Sequence, residues 1–159
     1  MEATGYVRRL RESVGHDPLL VTSVAACLRD ERGRILLLRR ADGGDLWGFP
    51  GGAMELGEGA VQSMAREVRE ETGLEVEPVA LIGVYSSPEH AFAYPNGDQV
   101  QPVTIFFECR ILSEEPRPDL DEILDARYFG PEDELPPMRP CCIDKARDAF
   151  LFRGQPFLR

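Results

Sequence analysis

The hydrophobic and polar residues recur along the chain with two different periods, and these periods predict its strands and helices. Runs rich in Val, Ile, Leu and aromatic residues are typical of strands, whereas a period near 3.6 residues is typical of amphipathic helices. We expect strands at Leu19–Leu28, Arg34–Arg40, Val79–Ser87, Val100–Leu112 and Ile123–Phe129, and helices at Tyr6–Val14, Glu58–Thr72 and Cys142–Phe152. Strands interleaved with helices indicate an α/β or α+β protein.

The residues between these elements predict how they are joined. The Asp30–Gly33 turn predicts a hairpin of the first two strands. Pro102 predicts an edge position or a bulge near the start of its strand, because proline cannot donate to a sheet. Pro131–Leu135 is expected to form one helical turn with proline at its first position. In the last helix, the spacing of Ile143, Ala146, Ala149 and Phe150 predicts the inner face.

Length and composition limit the class of protein. The 159 residues predict one domain over 1–159, with an N-terminal helical extension at 1–16. There is no apolar run of the roughly 20 residues that span a bilayer, and we expect no membrane partner. The four cysteines form no C-x-x-C pair, which favours a reduced, cytoplasmic protein.

The charge balance bears on the partners of the protein. Lys and Arg number 18 and Asp and Glu number 28, so the net charge is −10. Such a chain is not expected to bind a large nucleic acid, which needs a basic surface. A small anionic substrate remains compatible with it where a cation mediates. With two histidines, a His-rich zinc site is not expected.

The helix predicted at Glu58–Thr72 carries two faces. Val61, Met64, Ala65 and Val68 fall on one face and are expected in the core. The carboxylates of Glu67, Glu70 and Glu71 share a neighbouring face. This face is either solvated, with Arg66 paired to Glu70, or a site for a divalent metal, which prefers oxygen ligands. The preceding Pro50-Gly51-Gly52 loop favours the metal site, because glycine lets the backbone approach a ligand.

The same residues carry a family resemblance. The run Gly52-x5-Glu58-x7-Arg66-Glu67-Val68-x-Glu70-Glu71-x-Gly73-Leu74 resembles the complete Nudix box, G-x5-E-x7-R-E-U-x-E-E-x-G-U, in which U is a bulky aliphatic residue. Leu46–Gly52 resembles the family's approach to the box, and Glu55 resembles a common additional acidic position. The order of elements resembles the family over about Leu19–Leu135.

The resemblance implies a fold, a reaction and a cofactor. The fold would be a Nudix-like α/β/α sandwich around a mixed β-sheet. The reaction would be hydrolysis of a nucleoside diphosphate linked to another moiety, by attack of water on the pyrophosphate. The cofactor would be Mg²⁺, with Mn²⁺ as an alternative, and the partner a small nucleotide derivative. A homodimer is also compatible with the resemblance.

The resemblance also implies roles for the residues of the box. Glu67, Glu70 and Glu71 would bind the metal together with the carbonyl of Gly51, and Glu67 or a neighbour would help to deprotonate the attacking water. Arg66 would orient a glutamate of the box. Glu58 would support the junction between loop and helix, by holding a further metal or by capping the helix.

Outside the box, several residues are weaker candidates. Strand alternation allows one of Arg39 and Arg40 to face the substrate. Glu122 is a candidate additional catalytic carboxylate, with a solvated acidic loop as the alternative. Phe92 and Tyr94 would stack on a base or pack on their own loop. The other residues with reactive or aromatic side chains are expected to be structural. These are His90 on the surface, Trp47 in the core, and Cys141 and Cys142, which would pack the last helix.

The sequence leaves the substrate open. A subgroup that cleaves ADP-ribose carries a proline at a set distance beyond the box, and Pro88 lies near that position but off register. ADP-ribose, nucleotide sugars, dinucleoside polyphosphates and oxidised (d)NTPs all remain candidates. A nucleotide-binding module without activity and a prenyl diphosphate isomerase are the alternatives from other functional classes.

Overall fold

The computed structural model describes residues 5–41, 45–112 and 123–159. Over these residues the elements are, in chain order, α1 (Gly5–Val14), β1 (Leu19–Leu28), β2 (Ile35–Arg40), β3 (Trp47–Gly48), β4 (Gly51–Ala53), α2 (Ala60–Thr72), β5 (Val76–Tyr85), β6 (Phe92–Ala93), β7 (Gln99–Ile111), β8 (Ile123–Phe129), α3 (Pro140–Leu151) and β9 (Phe157–Leu158). Among the described helices, none has the length and apolarity to cross a membrane.

The strands form two sheets. The larger has the order β4-β1-β7-β5-β9, with β6 added beside β7, and the smaller has the order β3-β2-β8. Strand β1 runs parallel to β7 and antiparallel to β4, while β5 runs antiparallel to β7. The larger sheet is therefore mixed, as the resemblance implies, with β7 at its centre and β1 between β7 and the glycine strand β4.

Helices cover both faces of the strands. Val24, Ala26 and Leu28 of β1 pack in one cluster with Met64 and Val68 of α2. The alternate residues Ala25 and Cys27 pack in a second cluster, which includes Ala146 and Ala149 of α3. Burial of both faces explains why residues 24–28 of β1 form a continuous apolar run instead of an alternating one. The α/β/α sandwich predicted from the resemblance is confirmed.

The predicted hairpin of the first two strands is wrong. The turn is present, since the N–H of Gly33 donates to the carbonyl of Asp30. However, β1 and β2 lie in different sheets, and one isolated bridge between Arg29 and Ile35 joins them. Both edges of β1 are already occupied by β4 and β7, so β2 pairs with β3 and β8 instead.

Pro102 lies in a central strand, because β7 has neighbours on both sides. Its own position is opposite Val21 of β1 and falls between the β6 pairing at Val100 and the β5 pairing that begins at Thr104. The strand is therefore central, but at Pro102 itself the side away from β1 is unpaired, which agrees with the expected edge position. The gap between β6 and β5 tolerates the missing N–H, because neither strand pairs at that position.

Two local predictions near the end of the chain also fail. Pro131–Leu135 is a turn, closed by the N–H of Asp133 on the carbonyl of Gly130, and has no helix. Ile143 is exposed, whereas Ala146 and Ala149 are buried as expected. The buried face of α3 also includes Cys141 and the charged residues Lys145 and Asp148.

Candidate active site

Helix α2 presents its carboxylates to the sheet. Glu67 is 6% exposed and Glu71 is 1% exposed, and they share the buried face with Met64 and Val68. Val61, predicted in the core, is 47% exposed, which contradicts that prediction. The helix is rotated so that part of its acidic face, instead of its full apolar arc, meets the sheet.

The glycines of β4 explain this rotation. Gly51 has φ +148°, and a Cβ there would lie 2.2 Å from the carbonyl oxygen of Val24. A Cβ on Gly52 would lie 2.4 Å from Oε2 of Glu67. The absence of both side chains lets β4 pack tightly between β1 and the glutamates of α2. The N–H of Gly51 donates to Oε2 of Glu71 at 2.8 Å, which holds this carboxylate against the strand.

The guanidinium of Arg66 donates hydrogen bonds to three carboxylates of the site. Its Nε donates to Oε1 of Glu58 at 2.6 Å, and its Nη1 donates to Glu67 at 2.7 Å and to Glu70 at 3.1 Å. The hydrogen bonds from Arg66 lower the pKa of Glu58 to about 2. Arg66 and Glu58 therefore form a charged pair that orients the side chain of Glu67.

Arg40, not Arg39, points into the site. Its Nη1 donates to the carbonyl of Gly51 at 3.0 Å and contacts Oε1 of Glu71. Arg39 points away, and its Nη1 lies 3.5 Å from the exposed Asp45. Strand β2 places the two side chains on opposite sides, as alternation predicts.

The oxygens around Arg40 suit a cation. Burial raises the pKa of Glu67, and it raises the pKa of Glu71 to about 7 although Arg40 and Gly51 act in the opposite direction. Two buried carboxylates and the carbonyl of Gly51 are hard oxygen donors, and a guanidinium already lies on two of these groups. The residues present therefore fit a divalent metal.

The glutamates do not form a complete metal cage by themselves. Within residues 5–41, 45–112 and 123–159, no three His, Cys, Asp or Glu side chains are grouped so that they would hold a metal ion. The side chain of Glu70 is 56% exposed and lies further out than those of Glu67 and Glu71. This partial donor set is compatible with Mg²⁺, which usually retains waters and shares a few carboxylates with substrate phosphates.

A cavity extends from the glycine strand to α3. It is lined by Arg40, Gly51 and Gly52 of the carboxylate site and by the predicted residues Phe92 and Tyr94. The rings of Phe92 and Tyr94 lie edge to face at 5.0 Å. This cavity is continuous with the carboxylate site and brings the two groups of candidate residues together.

Sequence reasoning missed two basic residues that line this cavity. The guanidinium of Arg139 lies 4.0 Å from the ring centre of Phe92 and 5.1 Å from that of Tyr94. Lys145 is buried and lines the same cavity. No carboxylate is among the described lining residues, so the cavity is cationic although the protein is acidic. The signal available in the sequence was the position of Lys145 directly beside Ala146, which was predicted on the inner face of the helix.

The predictions for His90 and Trp47 can be compared with the structure, whereas Glu122 lies outside the described residues. His90 is buried, not on the surface, and its Nε2 lies 3.0 Å from Oδ2 of Asp144. Trp47 is buried as expected, and one side of it also lines the cavity. Glu122 falls in 113–122, outside the described residues.

The family of the chain follows from comparison with known proteins. The NUDIX domain family matches residues 19–144, which is most of the chain and includes β1, α2 and the first turn of α3. The chain therefore belongs to the Nudix family, whose members typically use a divalent metal.

Individual relatives agree with this assignment. The chain is 50% identical over 70 residues to a MutT-like protein of Streptomyces ambofaciens, covering 44% of this chain and 45% of that protein. It is 33% identical over 120 residues to a Bacillus subtilis protein provisionally named an ADP-ribose pyrophosphatase, covering 74% of this chain and 54% of that protein. The chain thus spans about half the length of these curated relatives.

The fold is also shared with solved structures. The crystal structure of an ADP-ribose pyrophosphatase from Streptococcus suis superposes with a TM-score of 0.68 at 24% identity, covering 87% of this chain and 97% of that one. At this identity the similarity shows the common fold and does not extend to the substrate.

Proposed function

We propose that this protein is a Nudix pyrophosphohydrolase that cleaves a nucleoside diphosphate linked to another moiety, with Mg²⁺ as its cofactor. The observation that carries the proposal is the continuity between the buried carboxylates and the cationic cavity. Gly51, Gly52 and Arg40 line the cavity and also adjoin Glu67 and Glu71. A diphosphate beside these three residues would meet the metal ligands while its nucleoside occupied the rest of the cavity.

The proposed metal ligands are Glu67, Glu71 and the carbonyl of Gly51, with Glu70 beside them. When bound, Mg²⁺ would neutralise charge on the diphosphate, activate water and stabilise the transition state. The protein's own groups hold the ligands in place. The N–H of Gly51 fixes Glu71, and Arg66 fixes Glu67 from the opposite side.

The proton of the attacking water is expected to pass to a carboxylate of α2. Glu67 is the first candidate, because burial raises the pKa of its carboxyl group and so makes it a better base than an exposed glutamate. Arg66, hydrogen-bonded to it, limits this increase. Glu122 remains a proposed additional catalytic carboxylate.

The basic residues of the cavity are proposed to bind the anionic substrate. Arg40 is positioned to bind a phosphate oxygen next to Gly51, since guanidinium groups match phosphate geometry. Phe92 and Tyr94 present an aromatic surface, and base stacking of this kind contributes about 1–3 kcal/mol. The guanidinium of Arg139 lies over both rings. When a base binds, Arg139 would either move away from the rings or contact the base beside them.

ADP-ribose is the substrate that we propose to test first, because a Bacillus subtilis relative 33% identical to this chain bears that activity in its provisional name. Oxidised (d)NTPs are an alternative, since a Bacillus subtilis relative 43% identical over 60 residues is provisionally named an 8-oxo-dGTP diphosphatase. Dinucleoside polyphosphates are a further alternative, which the sequence left open. A nucleotide-binding module without catalysis is a weaker alternative, because each carboxylate of the box is present.

A hydrolysis panel tests the proposal. ADP-ribose, diadenosine polyphosphates, nucleotide sugars and (d)NTPs, including oxidised forms, are incubated with Mg²⁺, Mn²⁺ or EDTA. We expect turnover of one class, its loss with EDTA, and a decrease of more than about 100-fold in Glu71→Gln, because losing a metal ligand exceeds the usual effect of losing a group that only orients one. Glu12→Gln, an exposed change on α1, is the matched control and should retain activity. Absence of turnover on the whole panel, with nucleotide binding retained, would support the non-catalytic module instead.

A further inference from the structure

The first turn of α3 places two adjacent cysteines in the cavity. Cys141 and Cys142 both line it, together with Arg139 and Lys145. Their Sγ atoms are 4.0 Å apart. Cys141 is buried, and Cys142 is half-buried beside Gly48 of β3, where a Cβ on the glycine would lie 3.4 Å from Sγ of Cys142. The proposed function uses neither thiol.

The surroundings of Cys142 favour its thiolate form. The Sγ atoms of Cys141 and Cys142 lie within hydrogen-bond distance of each other, and the backbone N–H of Phe49 donates to Sγ of Cys142. These hydrogen bonds, with the positive charges of Lys145 and Arg139, lower the pKa of the Cys142 thiol although burial opposes them. The N-terminal end of α3 adds positive potential at the same place.

The side chain of Lys145 supplies positive charge to the cavity that both thiols line. Lys145 is 5% exposed, and in the described part of the chain no carboxylate forms an ion pair with it. A positive charge that faces the cavity would stabilise a negative group placed there, because opposite charges attract more strongly away from bulk water. Cys142 lies three positions earlier on the same helix and is among the groups on which Lys145 acts.

We propose that Cys142 is a reactive thiol of the substrate cavity and that hydrogen peroxide converts it to a sulfenic acid that hinders substrate binding. The sulfur attacks one peroxide oxygen, so that an S–O bond forms as the O–O bond breaks. Two electrons pass from sulfur to peroxide, and the second oxygen leaves as hydroxide and is protonated to water. The hindrance of substrate rests on the proposed function, whereas the reactivity of the thiol does not.

A disulfide between the two neighbours is not the expected product. Cα atoms joined by a trans peptide bond are about 3.8 Å apart, below the usual range of about 4.4–6.8 Å for disulfides. Closure would also distort the first turn of α3. The sulfenic acid is therefore expected to persist until an external thiol reduces it, which makes the modification reversible.

The other cysteines serve as internal controls. Burial raises the pKa of the Cys27 and Cys109 thiols, and both lie in the core clusters. They are expected to stay unreactive in the folded protein, because the thiolate is the reactive form. Cys141 has a raised pKa through its hydrogen bond to Cys142 and is the closest comparison.

The experiment measures where peroxide reacts. The folded chain is treated with limiting hydrogen peroxide and dimedone, which traps sulfenic acids, and peptides are quantified by mass spectrometry. We expect Cys142 to be labelled at least about tenfold faster than Cys141, Cys27 and Cys109, as a stabilised thiolate would be. Lys145→Met should slow the labelling of Cys142, whereas Cys141→Ser should retain it, because serine also donates a hydrogen bond. Circular dichroism verifies that both variants are folded.

Two outcomes would overturn the proposal. Equal labelling of Cys142 and Cys141, or labelling of Cys142 no faster than in urea-unfolded chain, would show that the cavity does not activate this thiol. A second arm adds ADP or the substrate found with the panel, which should slow labelling, and compares Cys142→Ser with wild type for activity retained after peroxide. Rapid labelling without protection would leave the thiol reactive but would overturn the placement of substrate in this cavity.

Discussion

At the scale of single residues, Arg66 has the most connected position in the site. Its guanidinium contacts Glu58, Glu67 and Glu70 simultaneously. Lysine keeps the positive charge but cannot form the two-nitrogen contact with Glu58 while also reaching Glu67. The side chain of Glu67 would then lose its fixed orientation.

We therefore expect Arg66→Lys to reduce both Mn²⁺ affinity and turnover by about 10–100-fold, the usual effect of removing a group that orients a metal ligand. Mn²⁺ binding is measured directly by electron paramagnetic resonance, independently of the substrate. Arg69→Lys, on the exposed side of the same helix, is the matched control and should bind Mn²⁺ like wild type. Equal affinity of the two variants would show that Arg66 does not position the ligand.

At the scale of elements, the contact between β4 and α2 depends on the backbone of Gly51. Two effects disfavour any side chain there: a φ of +148° and the carbonyl of Val24, 2.2 Å from the site of a Cβ. Gly33 separates these effects, because it has a positive φ of +75° and open space around its Cβ position.

We expect Gly33→Ala to lower the free energy of unfolding by about 1–2 kcal/mol, the cost of the left-handed backbone alone. Gly51→Ala should lower it by about 3 kcal/mol or more, because the clash with a backbone carbonyl adds to the strain. Urea unfolding without added metal measures both. Equal decreases in the free energy of unfolding for the two variants would show that β4 shifts at little cost and does not hold the glutamates against the sheet.

At the scale of the whole molecule, Asp148 joins three separate parts of the chain. This buried carboxylate of α3 accepts from the hydroxyl of Tyr85 at 2.9 Å and from Nη2 of Arg159 at 2.6 Å. Burial alone would raise the pKa of Asp148, but the hydrogen bonds from Arg159 and Tyr85 outweigh it and the pKa is lowered.

A lowered pKa makes the ionised form stabilising. Its contribution is complete above the ordinary aspartate pKa of about 4 and is lost as the pH falls through the lower folded value. We expect Asp148→Asn to lower stability at pH 7 by about 1.5–3 kcal/mol, as for one hydrogen bond to a charged group, and to reduce the loss of stability below pH 4. Urea unfolding between pH 7 and pH 3 measures this, with the exposed Asp45→Asn as control. Parallel pH profiles of wild type and Asp148→Asn would contradict it.

The sequence by itself determined the local elements and the residues of the box. Periodicity predicts α2 and its end at Gly73, which has φ +71° and donates to the carbonyl of Arg69. These features depend on neighbours within one or two turns, which the sequence displays directly. The resemblance then placed Glu67, Glu71 and Gly51 in one site, where the structure brings them together.

Tertiary structure alone decided what distant segments do to each other. The pairing of β1 with β7, 81 positions away for Ser23 and Thr104, left no edge for the expected hairpin with β2. The close approach of β4 turned the carboxylates of α2 inward and left Val61 exposed. The same packing brought Arg139, Lys145 and both thiols of α3 to the cavity. Strand pairing and cavity lining depend on contacts between segments far apart in the chain, and a local pattern of polar and apolar residues does not encode them.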